Sequence, residues 1–219
     1  MRSLLVLLSA VALFSVASGA TASTAGALKM VDIDNSEQAR QRGVEIVVST
    51  CMMCHSLKYI KFSDLTQIGM TKEQIKNLLE DQDIDDRMMS LTPIEVRKES
   101  YGKVPPDLSV MAIARKKGPQ HIYTLLTGYY YKDAEQEETD NHLFPQIKMP
   151  DALAYADAES DEERAEIEAQ AHDVASFLVW TADPNAESRR TIGGYVIIYL
   201  IILTTLLYLL KRRVWAKIH

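Results

Sequence analysis

Cys51 and Cys54 stand three apart in Cys-Met-Met-Cys, and His55 follows at once. On a helical turn, positions three apart share a face, so both thiols can reach the edge of a flat macrocycle and bond its two vinyl groups. His55 then lies beneath the iron as a nitrogen ligand. The pattern is that of covalent haem c attachment. A thiol-redox pair and part of a zinc site are the rivals, but neither explains the adjacent His. Zinc would also need further ligands from scattered His and carboxylates, because the chain holds only 2 cysteines.

The second axial ligand must come from elsewhere. Met149 is the favoured candidate: it stands in Gln-Ile-Lys-Met-Pro, where Pro150 biases it toward extended backbone and stiffens a loop that can present a thioether. His142 is the main competitor, whereas Met52, Met53, Met88, Met89 and Met111 suit core filling. A Met ligand gives a higher reduction potential than a second His. An anion-binding cation is also in view. Leu108, Met111, Ala112 and Arg115 follow a helical spacing that puts a guanidinium at the end of an apolar face, facing a haem propionate or snorkelling at the domain edge.

The elements that position these groups are helices. Pro105-Pro106 forms a rigid wall before a short helix expected from Asp107 to a stop at Gly118. Thr71 and Gln74 have capping-box form, with Ile75, Leu78 and Leu79 on the buried side of the helix that follows. Further helices are expected over 121–129, ending near Gly128, and over 165–180, where Ile167, Ala171, Val174, Ala175 and Leu178 align. No repeat and no strand pattern stands out. The soluble part therefore reads as all-α, with long loops covering the haem.

The two ends are of another kind. Residues 1–20 pair Arg2 with a short apolar run and a small-residue exit, the form of a secretory signal peptide. Residues 192–210 carry no charge and are close to the roughly 20 needed to cross a bilayer as a helix. Lys211, Arg212, Arg213 and Lys217 follow, which puts the tail 211–219 in the cytoplasm, although Arg189 and Arg190 precede the span. The expected layout is a haem domain over 21–181, a linker over 182–191, the transmembrane helix and the basic tail. Between Thr21 and Arg190 lie 30 acidic and 19 basic residues, a net of −11. Such a surface disfavours nucleic acid and suits a basic partner or simple solubility.

These residues together resemble the cytochrome c1 family, the haem subunit of the quinol–cytochrome c oxidoreductase (cytochrome bc1) complex. The resemblance rests on Arg42-Gly43 ahead of Cys51 to Ser56, on Pro105-Pro106-Asp107-Leu108-Ser109, on Leu125-Leu126-Thr127-Gly128-Tyr129, on Met149-Pro150, and on Trp180 to Pro184 before the anchor. Val47 and His121 depart from it, standing where relatives often have an aromatic residue and a haem-contacting tyrosine. It implies a class I c-type cytochrome-like haem domain with one C-terminal transmembrane helix. His55 and Met149 are then the axial pair and Arg115 the propionate partner, while Pro106, in the proline wall, is a further cofactor-binding candidate read from the residues themselves. Electrons would pass from a Rieske iron–sulfur protein to a basic cytochrome c, beside a cytochrome b subunit in a dimeric complex. The setting would be the bacterial inner membrane, in contact with lipid, with the haem in the periplasm. A membrane-anchored carrier of another chain and a haem-based sensor are the alternatives. Three acidic stretches, 80–86, 135–140 and 157–168, could steer the acceptor.

Overall fold

A computed structural model of the chain describes residues 26–79, 81–133, 135 and 138–216. The segment 1–20 expected to be a signal peptide, Glu80 and Glu137 of the acidic stretches, and Lys217 lie outside these residues. Two long helices frame the core. Ser36 starts the first, α1 (Glu37–Ser49), by accepting the Ala39 N–H on its hydroxyl at 3.2 Å, and Ala39, Gly43, Val44 and Val47 form its buried stripe. The second, α6 (Asp161–Ala182), opens with a reciprocal capping box between Ser160 and Glu163 and buries Ala171, Val174, Ala175, Phe177, Leu178 and Trp180. That extends the expected 165–180 helix by about a turn at its N-terminus, where the cap sets the start.

α1 and α6 pack directly on each other, and at Gly43 the two approach closely. A Cβ there would lie 2.7 Å from the Asp173 carbonyl carbon and 2.9 Å from the Phe177 Cβ, so only glycine fits. Beside it, Arg42 donates from Nε and Nη2 to the two Asp173 carboxylate oxygens at 2.6 and 2.8 Å. The fork thus ties α1 to α6 one residue from the contact.

Between the two lie smaller elements in chain order. These are β1 (Leu57–Lys61), a 3-10 segment Phe62–Ile68, α2 (Lys72–Leu78), β2 (Arg87–Met88), α3 (Ile94–Tyr101), α4 (Met111–Ala114), α5 (Gly118–Leu126), β3 (Tyr129–Tyr131) and β4 (Thr139–Asn141). The capping box at Thr71 and Gln74 is formed as expected. Two antiparallel pairs, β1 with β2 and β3 with β4, add a minor strand component to a helix-dominated fold. They escape an alternation test because the runs are two to five residues long, and β1 is irregular between Leu57 and Lys61.

The short helix expected over 107–118 takes a different form. Asp107 does not cap it. Its carboxylate accepts the Lys58 N–H on Oδ2 and the Ser109 N–H on Oδ1, both at 3.0 Å, which holds 107–109 as a turn against β1. The helix shrinks to α4, and Arg115 falls beyond it with φ −130° and ψ 149°. Gly118 opens α5 instead of ending α4, and a Cβ on it would come 2.6 Å from the Ala112 carbonyl carbon. α5 then ends at Leu126, ahead of Gly128.

After Ala182 the chain turns through 183–185 into α7 (Ala186–Trp215), so the polar residues ahead of the apolar stretch are helical as well. α7 buries none of its residues and is long and apolar enough to cross a membrane.

Candidate haem site

Cys51 to Met53 form a 3-10 turn at the end of α1, and the Cys54 and His55 N–H groups both return to the Cys51 carbonyl, at 3.1 and 2.8 Å. Three consecutive carbonyls beyond it would lack partners, and the segment 90–97 supplies all three. Leu91 N–H donates to Met52 O at 3.0 Å, Ser90 Oγ to Met53 O at 3.0 Å, and Arg97 Nη1 to Cys54 O at 2.9 Å. Ser56 fixes the exit: its hydroxyl accepts the Ser90 N–H at 2.9 Å, and its carbonyl accepts the Leu108 N–H at 2.8 Å. The attachment turn is therefore clamped from both sides by main-chain and side-chain bonds.

The proline wall completes the clamp. His55 Nδ1 lies 2.7 Å from the Pro106 carbonyl oxygen, which can only accept, so Nδ1 carries the proton and Nε2 keeps its lone pair. Burial pulls the His55 pKa below its ordinary value, outweighing the Pro106 bond, and holds the ring neutral at neutral pH. A neutral imidazole with a fixed Nδ1–H is the form that binds iron. Pro106 acts here through its carbonyl, as the partner that orients the ring.

Both cysteines are free thiols. Burial, with Cys54 adding to it, pushes the Cys51 thiol up to about 12, and the Cys54 sulfur lies 3.5 Å from the Tyr101 hydroxyl. Cys51, Leu108, Met111, Met149 and Leu153 are all partly buried against one apolar cluster. Met149 is held through its carbonyl, which accepts the Tyr129 hydroxyl at 3.1 Å, leaving the thioether unconstrained by that bond. His142 is placed otherwise: it is exposed and stacked on Tyr130 at 4.2 Å.

Arg115 is exposed and lies over the Phe144 ring at 5.4 Å, while His121 meets the same ring edge-on at 5.2 Å. None of the ion pairs among the described residues involves Arg115. The structure thus joins Arg115, His121 and the loop that leads to Met149. Burial and then the Arg115 charge lower the His121 pKa. Val47 is fully buried as a core residue. Several acids of the 157–168 stretch are engaged within the chain, Glu163 in its capping box and Glu168 with Lys29 and the Tyr155 hydroxyl.

Sequence reasoning misses Ser90 and Arg97. Arg97 is 8 % exposed, and its residue type argued for the surface. The signal for Ser90 lies only in the unpaired carbonyls of the turn, which the sequence does not display.

A paired thiol edge, an oriented neutral imidazole and a thioether on the same cluster suit a c-type cytochrome, and among the described residues one helix, α7, is long and apolar enough to fit a single-pass membrane anchor. The chain matches the Cytochrome C1 family over residues 29–99 and 92–218, and it belongs to that family. The family is that of the haem-bearing electron-transfer subunit of the cytochrome bc1 oxidoreductase, whose members carry one covalently bound haem c. Among its relatives, "Cytochrome c1" of Allochromatium vinosum is 27 % identical over 88 % of this chain and 90 % of its own length. "Ammonia monooxygenase gamma subunit" of Nitrosomonas europaea is 28 % identical, covering 88 % and 89 %. "Cytochrome b/c1" of Bradyrhizobium diazoefficiens is 30 % identical over 83 % of this chain, which spans only 33 % of that longer protein.

Proposed function

We propose that this chain relays single electrons from a Rieske iron–sulfur protein to a basic cytochrome c within a cytochrome bc1 complex, through a haem attached at Cys51 and Cys54. The observation that carries the reading is the His55–Pro106 bond beside the two thiols, which leaves one imidazole nitrogen free to bind iron. A haem bound there supplies a one-electron Fe(III)/Fe(II) couple. The residues do the rest. Cys51 and Cys54 would tether the ring, and His55 and Met149 would supply the two protein ligands to its iron. The surface position of His142 favours Met149 as the sixth ligand. Arg115, which none of the ion pairs among the described residues involves, lies over the Phe144 ring and suits an anionic propionate. With both axial positions filled, small ligands are kept out, which argues against a sensor.

The haem domain, 21–181, would lie in the periplasm of a bacterial inner membrane. The apolar stretch 192–210 of α7 would cross the bilayer beside cytochrome b, and the basic tail 211–219 would face the cytoplasm. The exposed acids Asp161, Glu162 and Glu166 would steer the basic acceptor, so that docking weakens as salt rises.

Affinity purification of the tagged chain from native membranes tests this reading. Copurification of a b-type cytochrome and a Rieske protein, with quinol-driven reduction of the c haem, is the expected result. The Nitrosomonas relative carries a different name, so recovery with a monooxygenase and no b-type cytochrome would instead place the chain in another respiratory route.

A further inference from the structure

Arg97 raises a question that the attachment clamp does not answer. Its side chain is buried, it spends one donor on the Cys54 carbonyl at 2.9 Å, and its Nε finds no partner among the described residues. None of the ion pairs among the described residues includes it. A buried cation without a counter-charge is costly, and breaking or leaving such a charge unpaired is among the larger penalties in a fold. Holding one carbonyl does not require a charge. Ser90 holds the neighbouring Met53 carbonyl with a neutral hydroxyl at 3.0 Å in the same segment. The charge is therefore surplus to the clamp.

Its position gives it a use. The guanidinium sits against the peptide that joins Cys54 to His55, on the thioether side of the site. Thioethers and propionates occupy opposite edges of a c-type haem, so Arg97 is not placed to neutralise a propionate; Arg115, on the Phe144 side, is a separate cation. We propose that the fixed charge of buried Arg97, which forms no ion pair among the described residues, raises the reduction potential of the haem. Reduction adds one negative charge to the centre. A buried cation within a few bonds of the proximal ligand favours that reduced state, and low local polarity prevents water and salt from screening it. The inference rests on haem attachment at Cys51 and Cys54 with His55 as a ligand.

The test is an optical redox titration of the full-length holoprotein beside Arg97→Gln, Arg97→Lys and Ser90→Ala. The weak sulfur-to-iron absorption band is recorded in each, so that a loss of the axial ligand is seen separately from a change in potential. Arg97→Gln keeps a donor and loses the charge. Its equilibrium should shift toward the oxidised form by about tenfold, which for one electron is 59 mV, with the band retained. Arg97→Lys should stay within about threefold of the parent, as should Ser90→Ala, which removes a clamp bond and no charge. An unchanged potential in Arg97→Gln, or an equal shift in Ser90→Ala, overturns the proposal. If Arg97→Gln fails to hold haem, Arg97→Lys decides alone: parental potential supports the role of the charge, and a tenfold fall despite a retained charge refutes it.

Discussion

Replacing Gly43 with alanine tests whether α1 and α6 meet as closely as the structure places them. Two effects of opposite sign act at this position. Alanine is the better helix former by roughly 1 kcal/mol, so on propensity alone the variant would be stabilised. Against this, the new Cβ would stand 2.7 Å from the Asp173 carbonyl carbon and 2.9 Å from the Phe177 Cβ, both inside van der Waals contact. One obstacle is helix backbone, which cannot rotate away, so the helices must separate and strain the adjoining Arg42–Asp173 fork. Overpacking of this kind costs about 1–3 kcal/mol, and a backbone clash belongs at or beyond the upper end. The net loss expected is about 2 kcal/mol, or about 4–8 °C in Tm for a domain of this size. Thermal unfolding of the haem-loaded protein, followed at the haem band and by circular dichroism, measures it. Gly193→Ala in α7, where a Cβ meets nothing within 4 Å, serves as the control. A Gly43→Ala protein as stable as the parent, or more so, would refute the close approach and with it the account of how α1 carries the attachment turn.

Arg42→Met leaves the Asp173 carboxylate, which is 8 % exposed, without its fork; because Arg42 itself is more than half exposed, a loss of about 1–2 kcal/mol in denaturant unfolding is expected rather than the full buried-pair penalty. Asp107→Ala removes the acceptor of the Lys58 and Ser109 N–H groups and should cost about 1–2 kcal/mol, with a larger fraction of protein showing altered His55 ligation by nuclear magnetic resonance. Asp140 is held below the usual carboxylate range, chiefly by the Asn141 N–H and also by the Gln146 N–H. The native state then binds fewer protons there than the unfolded one, so its contribution is complete above roughly pH 4 and is lost as pH falls through the folded value. Asp140→Asn should flatten that acid limb of the stability curve, and an unchanged limb would remove Asp140 from the account.

The parts of the site that read directly from sequence are local ones. Cys51, Cys54 and His55 fall within five residues, so their joint geometry is set by a single turn, and the capping boxes at Thr71 and Ser160 are likewise short-range signals. What the sequence hides depends on distant partners. Asp107 looks like a helix cap until Lys58, 49 residues away, claims its carboxylate. Gly118 looks like a helix stop until it proves to be the seat on which Ala112 rests. Arg97 carries the composition of a surface residue and lies buried because the Cys54 carbonyl, 43 residues earlier, needs a donor. α1 is absent from the sequence reading although its stripe of Ala39, Gly43, Val44 and Val47 is regular, because two of its contact residues are small and its apolar face is narrow. The strands are missed for a simpler reason: three of the four hold only two or three residues, too few to show a period, and the five-residue β1 is irregular and does not alternate in burial.

The assignment of His55 and Met149 as the axial pair is most directly tested by the optical spectrum and redox titration of the purified protein beside Met149→Leu. Leucine nearly matches the volume and cannot ligate iron, so the core should hold while the sixth position opens. The account predicts a weak sulfur-to-iron band near the red end of the visible range and a high potential in the parent, both lost together in the variant. A variant that keeps the band and the potential would show that the sixth ligand is another residue and would contradict it.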